Sequence, residues 1–267
     1  PGLKLSLGVT LTYVAIIVLL PLSALVFQAA SLRPAEYWAI ISPPRAVARY
    51  RVTVLCALAA TLSNVIFGLA LAWVLTRYRF PGWRFVDAIV DLPFALPTAV
   101  AGIALTTLFA GNGWFGSLLA PLGIKVAYTP VGIMVAMAFT SLPFIVRTVQ
   151  PVLEDLDPAL EEAAQSLGGS ALEIFRKVIL PLLTPALLAG LSLSFARSLG
   201  EFGAIIFIAG NQPFSTEITA LLIFIRLEEY DYQAAAAIAS VLLITAFIML
   251  AVTNYLQTRA LRYTVRS

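Results

Sequence analysis

Four groups of ionisable residues set the first limits on the chemistry of this chain. Glu154, Asp155, Asp157, Glu161, Glu162 and Glu173 gather six of the fourteen acids into one polar stretch. Arg197 and Glu201 stand four residues apart inside the apolar run SLSFARSLGEFGAIIF. Asp87 and Asp91 lie one helical turn apart, and Arg226, Glu228, Glu229 and Asp231 form the last group. A carboxylate pair in an apolar setting invites comparison with an intramembrane aspartyl protease. The GxGD setting is missing, so Asp87 and Asp91 read as capping or subunit-contact carboxylates. The chain has no histidine, which excludes Ser-His and Cys-His nucleophile pairs, His-ligated zinc and a His proton relay. Cys56 is the single cysteine, so there is no disulfide framework and no cysteine-rich metal site. No GxxxxGK[ST] phosphate loop occurs. The expectation is a non-catalytic chain without a metal site.

The elements that must position these charges are membrane helices. Of 267 residues, 60% are hydrophobic and 12% charged, with a mean hydropathy of +0.94. A soluble domain carries about twice that charge fraction, so lipid is the expected solvent. Crossing hydrocarbon takes about 20 helical residues. Six stretches are long enough, near 6–30, 52–76, 86–110, 127–149, 182–209 and 234–257. The first is too long for a signal-peptide core and lacks a persuasive cleavage site. The start at Pro1 rather than Met suggests trimming at the extreme N-terminus.

An even number of spans puts both termini on one side. With the termini inside, the inner segments carry Lys4, Arg77, Arg79, Arg84, Arg147, Arg176, Lys177, Arg259, Arg262 and Arg266. The outer ones keep Arg33, Arg45, Arg49, Arg51, Lys125 and Arg226. Ten against six favours cytoplasmic termini, although the Arg45–Arg51 cluster weakens the contrast. The basic residues are dispersed at segment ends, so no nucleic acid is expected as a partner.

Residues 161–181, EEAAQSLGGSALEIFRKVILP, interrupt these spans with a stretch that must lie in water. Asp157-Pro158 starts a helix well, because Asp caps it and Pro suits the first turn. Gly168 permits the left-handed conformation that ends a helix. The plain reading is a solvated loop helix. The spacing argues for more. Glu162-Ala163-Ala164, three residues, Gly168, nine residues and Val178-Ile179-Leu180-Pro181 resemble the EAA motif of ABC importer permeases, with Val178 where Ile is usual. That resemblance implies an all-α polytopic fold of the type I importer class, in which 1–267 form one transmembrane domain. It also implies that 157–177 are coupling helices seated in a groove of a cytoplasmic ATPase. The residues it assigns to coupling are Glu161, Glu162, Ala163, Ala164, Gly168, Leu180 and Pro181.

Further segments widen the resemblance: TRYRFPG (76–82), DLPFALPTAVAG (91–102), AFTSLPFIVRTVQPVLE (138–154), FARSLGEFGAIIFIAGN (195–211) and DYQAAAAIASV (231–241). They are similar to the T-type (or U-type) permease subunits of bacterial sulfate/thiosulfate importers. The resemblance implies an inner-membrane complex with two ATPase copies, a W-type permease paralogue and a periplasmic sulfate/thiosulfate-binding protein. It implies no cofactor on this chain, ATP and Mg being used by the ATPase. Molybdate or tungstate permeases share the EAA pattern and remain an alternative, as does, from another class, an independent secondary transporter or channel.

Charges inside a span are costly and functional by default. On a continuous helix Gly190, Ser194, Arg197, Glu201 and Ala204 would share one face, which must look into protein or a cavity. Two readings stay open. Arg197 and Glu201 form a self-neutralising pair that fastens the helix, or Ser194, Arg197, Ser198 and Glu201 line an oxyanion route in which Glu201 tempers Arg197. Pro93 and Pro97 remove two backbone donors and predict a kink, structural or lining a pathway. The Arg226–Asp231 group is either a solvated loop or a docking surface for the binding protein.

Overall fold

The computed structural model describes residues 2–264, with side chains described through Arg259. Pro1, Arg266 and the side chain of Arg262, used above in counting termini and charge, lie outside that description. The described residues are helical and contain no strand. Six apolar helical stretches are long enough to cross a membrane.

α1 (Leu3–Ala30) runs along the edge, with a π-turn at Ala15–Leu19 just before Pro21. α2 (Pro34–Ile41) precedes the long α3 (Pro44–Arg77). Three short helices follow: α4 (Trp83–Val90), α5 (Leu92–Ala95) and α6 (Thr98–Phe109). α7 (Trp114–Leu119) leads to α8 (Pro130–Glu154). The polar insert forms α9 (Pro158–Ser166), and the chain re-enters through α10 (Ala171–Leu199). α11 (Ile205–Ile208), α12 (Thr219–Glu228) and α13 (Tyr232–Thr264) complete it. Pro34, Pro44, Pro130 and Pro158 each open a helix, where the missing N–H would be unsatisfied anyway.

Two expected spans differ from the structure. The stretch 86–110 is not one kinked helix. It breaks after Val90 and again at Leu96-Pro97, where Pro97 is the N-cap of α6. The stretch 182–209 stops as a helix at Leu199, and residues 200–204 run without regular helix. Glu201 and Ala204 therefore do not extend the helical face of Ser194 and Arg197. Gly200 and Gly203 make the turn easy to open, and the close crossing of the opened segment with α6 favours it.

The core is built where α3, α8 and α10 meet. One apolar layer joins Ala57 and Ala60 to Ile133, Met137, Phe195 and Leu199. A second joins Ala72 and Leu75 to Ile145, Val149, Ile179 and Leu183. Small residues bring the helices together, as lipid-embedded helices require. A Cβ on Gly68 would lie 2.7 Å from Ile145 Cγ2, and one on Gly190 2.3 Å from Thr148 Oγ1. Between the layers runs a polar seam. Asn64 Nδ2 donates to Ser141 Oγ (2.9 Å) and to the Ala138 carbonyl (3.0 Å). Ser198 Oγ contacts Ser141 Oγ at 3.1 Å, and Ser141 donates to the Met137 carbonyl. Ser141 thus uses its one donor and both acceptor positions, which binds the three helices in one register.

Candidate functional site

The end of the bundle that carries the insert is assembled from four helices. Asp157 Oδ1 accepts from the Ala159 N–H at 2.9 Å and caps α9. Gly168, at φ +83°, turns the chain back after α9. Ser170 and Glu173 then form a reciprocal capping box that starts α10, and Lys177 pairs with Glu173 at 3.0 Å. α10 carries a π-turn at Phe175–Ile179 immediately before Leu180-Pro181. Pro181 lacks an N–H and its ring crowds the preceding turn, and the wider turn accommodates both. Leu180 and Pro181 therefore mark the point where the insert becomes a membrane helix.

The EAA residues divide by face. Glu162, Ala163 and Gly168 are exposed, and Leu167 is 89% exposed beside them. Ala164 is half-buried against the second core layer. Glu161 points back into the protein, where Arg77 Nη2 donates to its carboxylate. Arg77 also sits over the Trp73 ring, 5.1 Å from its centroid, and Trp73 meets Phe175 edge to face at 5.6 Å. Glu161 is thus engaged within this chain rather than presented outward with Glu162.

The second candidate site lies where α10 unwinds. Arg197 Nη1 is 2.7 Å from Glu201 Oε2, and the Ala204 N–H donates to Glu201 Oε1 at 2.8 Å. Glu201 is 1% exposed, whereas the Arg197 side chain is 30% exposed. The carboxylate thus fixes one edge of a guanidinium that remains partly exposed. Ser194 and Ser198 are fully buried: Ser198 belongs to the Ser141 seam, and Ser194 Oγ has no hydrogen-bond partner among the described residues. Both serines sit inside the monomer and do not share the open face of Arg197. Across from this turn stands the first turn of α6. A Cβ on Gly203 would lie 2.1 Å from Thr98 Oγ1, and one on Gly102 2.5 Å from the Ala204 carbonyl. Pro97 thus ends one broken segment where it crosses the other. Pro93 starts the short α5.

Two charged groups have partners that were not anticipated. Asp87 and Asp91, expected to cap helices or contact a subunit, both bind Arg147. Its Nε and Nη2 reach Asp91 at 2.8 and 2.7 Å, and its Nη1 reaches Asp87 at 2.6 Å. This fork straps α4 and the α4–α5 break onto α8. Glu217, 3% exposed, receives two hydrogen bonds from Arg45 and two from Arg49. The Arg45 hydrogen bond, aided by Arg49, holds the Glu217 carboxyl down to about 2. The Arg45–Arg51 basic cluster is accordingly part neutralised, and its pairing with Glu217 ties the segment before α12 to the start of α3. In the remaining group Arg226 pairs with Glu229 at 2.8 Å, and Asp231 caps α13 through the Ala234 N–H.

Comparison with known proteins bears on both sites. The family described as binding-protein-dependent transport system inner membrane component matches residues 64–262. A Salmonella typhimurium protein named sulfate transport system permease protein CysT is 60% identical over 97% of this chain and 94% of its own length. The Escherichia coli protein of that name is 59% identical over the same shares, and that of Synechocystis 49% over 96% and 89%. Among solved structures, a chain of a bacterial ABC transporter importing alginate superposes with TM-score 0.76 at 17% identity, covering 96% of this chain and 95% of that one. A chain of the MetNI methionine ABC transporter gives 0.64 at 17% identity, covering 86% and 99%. At these identities the two structures bear on fold alone.

Proposed function

This chain belongs to the family of binding-protein-dependent transport system inner membrane components, and from that premise we propose that it is the permease subunit of an ATP-driven importer of sulfate and thiosulfate. The near full-length identity to named sulfate permeases supports the anion class. The observation that carries the coupling assignment is the exposed face of Glu162, Ala163, Leu167 and Gly168, held between two capped helices. In this reading the insert lies in the cytoplasm of a bacterial inner membrane, with both termini on that side. A separate ATPase, in two copies, hydrolyses Mg-ATP and seats this face in a groove. A W-type paralogue completes the membrane pathway, and a periplasmic sulfate/thiosulfate-binding protein delivers the anion.

The connectivity supports an alternating-access cycle. α10 runs without interruption from the insert to the unwound turn at Gly200, so a displacement of the insert reaches the core along one helix. The Asn64–Ser141–Ser198 seam keeps α3, α8 and α10 moving as one body. Arg197 is the residue through which the route meets a divalent oxyanion. Its charge is moderated by Glu201, because a transport route must not retain its cargo. Ser194 and Ser198 serve the packing behind it. The coupling assignment is tested by Glu162→Ala and Gly168→Val. At φ +83° a β-branched residue is strained by about 1–2 kcal/mol or more. Both variants are expected to lose ATPase co-purification or sulfate uptake while the membrane part still folds. Normal recruitment and uptake in both would overturn the assignment.

A further inference from the structure

The insert is covalently continuous with α8, through Asp155–Asp157, and with α10, through Gly168–Ser170. It has no such link to α3, whose chain departs at Tyr78 toward α4. Yet the last turn of α3 grips both limbs of the insert. Arg77, its terminal residue, donates to Glu161 on α9. Trp73, one turn earlier, lies beneath the Arg77 guanidinium and against Phe175 on α10. Arg77 and Glu161 are each about a quarter exposed (26% and 24%), so the pair is partly desolvated and better protected from screening than a surface pair. Neighbouring residues on a helix point about 100° apart. Glu161 therefore faces inward while Glu162 faces out.

We propose that Arg77 and Glu161 are a positioning pair that makes α3 a third helix driven directly by the insert, so that ATPase movement reaches the membrane core through α3 as well as α8 and α10. The inference rests on the coupling reading above and adds a residue-level route to it. The outward face takes the force from the ATPase, and the inward face divides it. Arg77 is suited to this work. It spans from an aromatic ring to a carboxylate, and its planar fork keeps direction under load. Without the pair, the insert end of α3 would follow only through apolar contacts, which slide more easily than a charge-assisted hydrogen bond, and through the Asn64–Ser141–Ser198 seam more than three turns farther along the helix.

The test uses the assembled complex in proteoliposomes, with internal ATP, external binding protein and labelled sulfate, and reads ATP hydrolysed per sulfate taken up. Glu161→Gln keeps the shape and removes the charge, and Arg77→Ala removes the reach. Each is expected to raise the ATP cost per sulfate severalfold, up to about tenfold, the scale of one partly exposed ion pair, with complex yield unchanged. The exchange Arg77→Glu with Glu161→Arg is expected to restore the wild-type ratio. A purely structural pair would lower yield, hydrolysis and uptake together and leave the ratio constant, and that result overturns the proposal. So does an exchange variant as uncoupled as the single ones. If Arg77→Ala fails to assemble, Glu161→Gln alone decides. A wild-type complex that shows no ATP-driven sulfate uptake would overturn instead the functional reading on which the pair depends.

Discussion

Replacing Gly203 by alanine probes the crossing that holds Arg197 in place. The added Cβ would lie 2.1 Å from Thr98 Oγ1, 3.1 Å from Thr98 Cβ and 3.2 Å from the Ala99 nitrogen. Rotation of the threonine relieves the first contact but not the other two, so α6 and the 200–204 turn must separate by a few tenths of an ångström or more. Overpacking of this kind costs about 1–3 kcal/mol. For a chain of this size that is a loss of about 2–10 °C in melting temperature. Glu201 sits two residues from the new methyl and anchors to the Ala204 N–H, so sulfate uptake should fall alongside stability. Two further variants isolate the cause. Gly200→Ala meets nothing closer than 3.9 Å at φ −85° and should melt close to wild type. Thr98→Ala combined with Gly203→Ala removes only the oxygen contact and keeps those to the Cβ at position 98 and the Ala99 nitrogen, so it should recover only a minor part of the loss. The assay is thermal unfolding of the detergent-solubilised complex beside uptake in proteoliposomes. A Gly203→Ala protein that melts like wild type, or a double variant restored to wild-type stability, would refute the reasoning.

The other expectations concern the charged residues. Arg197→Met should impair sulfate uptake more than complex assembly; because it also leaves Glu201 buried without its partner, which costs about 3–5 kcal/mol, the double variant with Glu201→Gln separates the two effects. Recovery of assembly without recovery of uptake supports a route residue, and recovery of both identifies a structural pair. Glu217 titrates in the folded protein at about 2, below its ordinary 4.5. The folded state therefore binds fewer protons than the unfolded state between those values. Its stabilising contribution is complete above 4.5 and is lost as pH falls toward 2. Glu217→Gln should flatten that acid-dependent loss in an unfolding titration, and an unchanged pH profile would contradict the Arg45–Glu217–Arg49 clamp.

Much of this architecture is readable from residue types alone. The apolar runs place the long helices, and the Asp157-Pro158 start and Gly168 stop of the insert follow from capping and left-handed backbone preference. What is not readable depends on distant partners. Glu217 lies 172 and 168 positions from the arginines that hold it, and nothing in its own neighbourhood signals them. Arg147 looked like a topological charge because its carboxylates lie 56 and 60 positions away. A hint was available, since a turn-spaced Asp pair facing an apolar helix needs a cation. The unwinding at 200–204 is a tertiary effect. The run GEFGAIIF is apolar enough to continue a helix, and only the approach of α6 to Gly203 favours the open turn. The split between Glu161 and Glu162 was likewise hidden, because a motif assigns roles to spacing and not to faces.

The most direct measurement is uptake of labelled sulfate by proteoliposomes containing this chain, its ATPase and its partner permease, with the periplasmic binding protein outside. Uptake that requires enclosed Mg-ATP, external binding protein and an intact Glu162–Gly168 face is the expected result. Sulfate accumulation by this chain alone, driven by an ion gradient and indifferent to ATP, would contradict it.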